Sequence, residues 1–234
     1  MIPVSAVFFD LDGTLIDSLP DITAAANAAL APLGAAGLSH EQVRPHVGQG
    51  AARLLANLLH IDDPQDAIVE AATQRFMRFY ETHVADSTRL YPGILEMLAH
   101  FAPVPLVVIS NKSTRLAKAA LESLAIADRF EAIYGGDAFE RKKPDPLPLV
   151  KAAELVRVPL QEALMVGDST FDILAGLAAR ARTCGVTWGL GSESSIRSAG
   201  AERVVHHPAE LMGGYRPWPR ATRRPELRDA ESES

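Results

Sequence analysis

The sequence of 234 residues contains a single cysteine, Cys184. No intramolecular disulfide can form and a metal site built from thiolates is excluded, so any metal must be held by oxygen. Positive charge is also short: 23 Lys and Arg stand against 29 Asp and Glu, a net charge of −6. That balance argues against a nucleic-acid partner, while a small anion can still be met at a locally positive pocket. No apolar run approaches membrane-spanning length; the longest weakly polar stretch, 22–38, is alanine-rich and broken by Asn27, Pro32, Gly34 and Gly37. The opening Met1-Ile2-Pro3-Val4-Ser5 lacks the basic region of a signal peptide. The expectation is a cytoplasmic protein with no membrane partner.

What is present is organised around Val7-Phe8-Phe9-Asp10-Leu11-Asp12-Gly13-Thr14-Leu15. An apolar run of strand type ends in two carboxylates one residue apart, then a glycine and a hydroxyl, and open α/β sheets place their active sites at such strand ends. At strand spacing Asp10 and Asp12 point to opposite faces, so both reach one cavity only if the chain turns at Gly13. Phosphoryl transfer through an aspartyl-phosphate uses such a pair. One carboxylate attacks phosphorus and binds a hard cation; the other gives a proton to the leaving oxygen and later takes one from water. The stretch resembles the first motif of the haloacid dehalogenase-like hydrolase superfamily, Asp-x-Asp-Gly-Thr after an apolar strand. The resemblance implies Asp10 as nucleophile and Asp12 as acid and base.

Asp17 or Ser18 can cap a helix that carries Pro20 in its first turn and closes at Gly34. Ser39-His40-Glu41-Gln42 reads as a capping box, soon interrupted by Val47-Gly48-Gln49-Gly50. Leu54, Leu55, Leu58 and Leu59 recur at helical spacing, and a longer helix over about 65–84 is expected to bury Ile68, Ala72, Phe76 and Phe79. Residues 17–90 therefore read as helices without a strand. From 91 to 212 a strand-then-helix rhythm resumes, with strand-type runs at 105–109, 132–135, 163–166, 183–186 and 203–205. The expected fold is α/β: a doubly wound, mostly parallel, Rossmann-like sheet formed by 1–16 and 91–212, with 17–90 inserted above its carboxyl edge. Beyond Gly213-Gly214 the composition turns to Pro, Arg and Glu, and 213–234 is expected to be a poorly ordered tail.

In a parallel sheet, the polar groups that end these strands lie along one edge. They are Asp10 and Asp12, then Ser110-Asn111-Lys112, then Lys143-Pro144, then Gly167-Asp168-Ser169 with Asp172 beyond. The Ser110 hydroxyl and Asn111 backbone N–H are placed to hold a phosphate oxygen, and Lys143 to supply fixed positive charge, with Lys142 its rival. Lys112 reads as a solvated surface lysine, with a contribution at the rim of the site as the alternative. A dianionic phosphate facing Asp10 calls for a divalent cation, and Mg2+ suits oxygen ligands; Asp10 and Asp168 are the first candidates, with the Asp12 backbone carbonyl a third. Asp172, one turn after Asp168, either orients Lys143 or holds water on the cation, or serves only as an N-terminal helix acid.

The superfamily resemblance covers about 4–212 with its motifs in order, and Lys143-Pro144 matches its Lys-Pro segment, which favours Lys143 over Lys142. It also implies that 17–90 is a helical cap closing over small substrates. Within the superfamily the chain resembles phosphoglycolate phosphatases in 9–18, in Val47-Gly48-Gln49-Gly50, in Ser110-Asn111-Lys112 and in Gly185-Val186-Thr187-Trp188-Gly189. Gly48 and Gly50 would let backbone N–H groups approach a substrate carboxylate, or merely break two helices; Arg44, His46 and Arg53 are the nearby cations. The implied activity is hydrolysis of a small phosphorylated metabolite, 2-phosphoglycolate first, by a monomer or homodimer. Sugar or amino-sugar phosphates, pyrophosphate and nucleotides are the alternative substrates, followed by a phosphomutase and by a catalytically silent binding module.

Overall fold

A computed structural model describes residues 1–35 and 37–219. The chain opens with β1 (Ile2–Val4) and β2 (Ala6–Phe9), passes β3 (Ile16–Asp17), and enters the helices α1 (Leu19–Leu30), α2 (His40–Val43), α3 (Ala51–Leu58) and α4 (Ala67–Tyr80). It returns through β4 (Arg89–Leu90) and then alternates: α5 (Ile94–Phe101), β5 (Leu106–Ile109), α6 (Thr114–Ser123), β6 (Ala132–Tyr134), α7 (Leu147–Val156), β7 (Ala163–Gly167), α8 (Thr170–Ala178) and β8 (Arg182–Val186). The described chain ends with α9 (Glu193–Ser198), β9 (Arg203–Val205), α10 (Pro208–Gly214) and β10 (Tyr215–Pro217).

Six strands form one parallel sheet in the order β6-β5-β2-β7-β8-β9. This is the doubly wound α/β architecture read from the sequence. Alternation in β2 makes it two-sided: Val7 and Phe9 pack with α5 and α6 through Met97, Phe101 and Leu121, while Ala6 and Phe8 pack with α7 and α8 through Leu149, Ala152 and Ala175. The strand order reverses direction at β2, which lies between β5 and β7. Phe9 is level with Val108 and Val166, so Asp10, Ser110 and Asp168 emerge at nearly the same height on one edge.

The helical insert is rooted by a ribbon too short to show alternation: Ile16 pairs with Leu90 and Asp17 with Arg89, antiparallel. Asp21, buried in the first turn of α1, fastens that root by accepting the backbone N–H of Ser87 and Thr88 and the Thr88 hydroxyl. The buried stripe of α4 is Val69, Ala72, Phe76 and Tyr80. The expected stripe was one residue out of phase at both ends, and Ile68 is exposed. Ser18 stands before α1 as expected but makes no side-chain cap bond, because its hydroxyl turns to Asp12 instead.

The expected tail needs correction at its start. Residues 213 and 214 complete α10, and Tyr215–Pro217 pairs in parallel with Ile2–Val4. Tyr215 is fully buried, and the Trp218 N–H donates to the Val4 carbonyl. Burial of Tyr215 and pairing with β1 anchor this segment. The remainder of the expected tail, 220–234, lies outside the described residues.

Candidate active site

Asp10 leaves β2 with its backbone N–H bonded to the Val166 carbonyl of β7. The chain then turns tightly: the Leu11 carbonyl accepts from Thr14, Leu15 and Ile16, and Gly13 adopts φ +85°. A Cβ on Gly13 would collide with the Asp168 carboxylate, so glycine is required by close approach as well as by conformation. The turn brings Asp12 to the same side as Asp10, and both line two adjoining cavities of about 330 and 380 Å3.

The candidate residues from separate strands meet here. Lys143 Nζ lies 2.9 Å from Asp10 Oδ1 and 2.6 Å from Asp172 Oδ1, all three buried. Oxygens of Asp10, Asp168 and Asp172 approach within 4.8 Å of one another. Asp168 is fixed by the Thr14 hydroxyl at 3.2 Å and by the Leu190 and Gly191 N–H groups at 2.7 and 3.2 Å. Ser169 donates through its N–H and its hydroxyl to Asp172 Oδ2, which locks that carboxylate while its other oxygen holds Lys143. Asp172 thus both orients Lys143 and sits in the first turn of α8.

Electrostatics follow from this crowding. Burial, with Asp172 adding repulsion and Lys143 opposing it, pushes the Asp10 carboxyl up to about 8. Burial and Asp172 push Asp168 up to about 6, against the pull of its N–H donors. Burial disfavours the Lys143 ammonium, yet Asp10 and Asp172 hold its pKa above the ordinary lysine value. When ionised, the three carboxylates face one ammonium, an excess of two negative charges in a buried, all-oxygen cluster. That donor set and charge fit a hard divalent cation.

On the β5 side, the Ser110 hydroxyl accepts the Lys112 N–H at 3.3 Å, leaving its own hydrogen to donate into the 330 Å3 cavity. The Asn111 side chain is committed elsewhere: Nδ2 donates to the carbonyls of Gly48 and Lys143, which ties the insert to the sheet edge. Gly48 lines both cavities and Gly50 the one of 330 Å3. Lys142, the rival cation, donates to the Gln49 carbonyl at 2.7 Å. Arg44 donates to the Gly189 carbonyl and lines the 380 Å3 cavity. Arg53 bonds the Asp62 carbonyl, and neither it nor His46 lines either cavity. Trp188 donates to the Thr14 carbonyl and packs on the core.

Lys112 corrects the sequence reading. It is buried, not solvated, with Nζ at 2.8 Å from Asp12 Oδ1 and 2.7 Å from the Tyr80 hydroxyl. Tyr80 was not among the candidate residues, Thr14 entered only as the hydroxyl that ends the first motif, and Ser18 only as a helix cap. The only signal for Tyr80 was its place four residues beyond Phe76 on a helix, and for Ser18 its position six residues beyond Asp12.

The family model of haloacid dehalogenase-like hydrolases matches residues 7–186. The chain belongs to this family. It is 43% identical to a phosphoglycolate phosphatase of Neisseria gonorrhoeae, over 92% of this hydrolase and 94% of that protein. It is 39% identical to one of Chromobacterium violaceum, over 89% and 95%. Among solved structures, CbbY from Rhodobacter sphaeroides in complex with phosphate superposes with a TM-score of 0.76 at 25% identity, over 91% of this chain and 97% of that one.

Proposed function

We propose that this hydrolase is a Mg2+-dependent phosphomonoesterase that cleaves a small phosphorylated metabolite through an aspartyl-phosphate on Asp10, with 2-phosphoglycolate the leading substrate. The observation that carries the reaction class is the meeting of Asp10, Lys143, Asp168 and Asp172 at the ends of three parallel-strand segments. The names of the curated relatives support the substrate.

In this reading Asp10 attacks phosphorus in line with the leaving oxygen, held in place by Lys143. Lys143 is itself anchored by Asp172 and sets fixed positive charge beside the phosphoryl oxygens. The Ser110 hydroxyl and Asn111 N–H receive a nonbridging oxygen. Asp12 gives its proton to the leaving alkoxide, then takes one from the water that displaces Asp10. Asp10 and Asp168 would hold the cation, with the Asp12 carbonyl a third ligand and Asp172 beside them; bound there, it offsets the repulsion between Asp10 and the phosphate dianion. The insert, 17–90, acts as a cap: Gly48 and Gly50 bring backbone groups to the cavity wall, where the substrate carboxylate would be met.

The test is phosphate release from a panel of monoesters with and without Mg2+, including 2-phosphoglycolate and sugar phosphates. A preference for 2-phosphoglycolate supports the reading. Preference for a sugar phosphate would overturn the substrate and keep the reaction, and no release from any monoester would overturn both.

A further inference from the structure

This mechanism leaves one buried cation without a task. Lys112 is 8% exposed, and burial works against its charge, yet Asp12 and then Tyr80 hold its pKa above the ordinary lysine value. Its Nζ donates to Asp12 Oδ1 at 2.8 Å and to the Tyr80 hydroxyl at 2.7 Å, and lies 4.5 Å from the Tyr80 ring centroid. Ser18 donates to the same Asp12 oxygen at 2.6 Å. Two donors from separate segments therefore meet on Oδ1, Lys112 from the loop after β5 and Ser18 before α1, and Tyr80 at the end of α4 holds the first of them. Asp12 Oδ2 accepts no hydrogen bond among the described residues, although Asp12 lines both cavities.

A carboxyl that exchanges a proton with a leaving group must present one oxygen within hydrogen-bond reach, and rotation about its terminal torsion spreads that oxygen over many directions. An ion pair serving only to balance charge needs neither a phenol from another element nor a second donor on the same oxygen. We propose that Lys112, held by Tyr80 of the helical insert, is a positioning residue that with Ser18 pins Oδ1 of Asp12 and leaves Oδ2 to face the leaving group. The proposal rests on the phosphomonoesterase reading. As the Asp10–phosphorus bond forms and the ester P–O bond breaks, the proton on Asp12 Oδ2 passes to the departing oxygen. As water attacks phosphorus and the Asp10–phosphorus link breaks, Oδ2 takes a proton from that water, and Asp12 is restored.

The experiment exploits leaving-group basicity: an alkoxide needs that proton to depart, whereas p-nitrophenolate does not. Single-turnover cleavage of 2-phosphoglycolate and of p-nitrophenyl phosphate is measured in the wild type, Lys112→Met and Tyr80→Phe. The alkyl-to-aryl rate ratio is expected to fall about tenfold or more in Lys112→Met and about threefold in Tyr80→Phe, a fraction of the usual worth of general acid catalysis. Tyr80→Phe keeps the ring that fills the core, so it decides the matter if Lys112→Met does not fold. Ratios within about twofold of wild type overturn the proposal even if both rates drop together, since a purely structural ion pair would slow the two esters alike. A wild-type protein that cleaves neither ester would overturn the phosphomonoesterase reading instead.

Discussion

The sheet edge and the helical insert face each other across the same cavity, and they are built differently. The edge carries ionisable side chains, several of them held by more than one partner: Lys143 between two carboxylates, Asp168 under two N–H groups and a hydroxyl, and Asp172 locked by Ser169. The insert turns apolar side chains toward the 330 Å3 cavity, among them Ile22, Leu54, Phe76 and Met77, and meets the edge through the Gly48 and Gln49 carbonyls and the Ser18 and Tyr80 hydroxyls. A dense polar network is rigid and intolerant of substitution; an apolar wall tolerates change and discriminates weakly, methylene by methylene. In the proposed mechanism the reacting groups stand on the edge, and the insert supplies the wall that meets the leaving group, with Ser18 and Tyr80 positioning the acid.

Substitutions that split kcat from KM can break that division. The largest effect is expected at Asp10: Asp10→Asn keeps the fold and lowers kcat by on the order of 10⁴-fold or more, as loss of a nucleophile does elsewhere. Next comes the cation. Chelation by EDTA should cut phosphate release at least about a hundredfold, with recovery on adding Mg2+. Lys143→Met follows, with kcat down about 10²–10³-fold and, because two buried carboxylates lose their partner, about 3 kcal/mol less resistance to urea. The smallest effect is expected from the insert: Met77→Ala, at the cavity wall, should change KM for 2-phosphoglycolate by about tenfold or less and leave kcat nearly untouched. If Met77→Ala instead lowered kcat for every ester as deeply as Lys143→Met, the division between edge and insert would fail.

The same contrast explains what could be read without coordinates. Asp10, Ser110 and Asp168 each follow an apolar run that only a strand explains, and a parallel sheet brings such ends together whatever their separation in sequence. Gly13 was legible because only a turn could put Asp12 beside Asp10. Lys112 was not, since its partners Asp12 and Tyr80 lie 100 and 32 residues away and no periodicity links them. A lysine at the end of a strand looks the same whether it is solvated or paired. The α4 stripe slipped because Ile68 and Val69 are both apolar, and a register one residue off fits the 3.6-residue period nearly as well. The β1–β10 pairing escaped because each strand spans only three residues.

The interdependence of Asp10, Lys143 and Asp168 is tested most directly by stopping the reaction between its two halves. Enzyme mixed with a radiolabelled phosphomonoester and Mg2+ is quenched in acid within the first turnover, and the labelled peptide is mapped. The account predicts label on Asp10 and none in Asp10→Asn. Rapid release of phosphate with no label on Asp10, or label on another side chain, would contradict it.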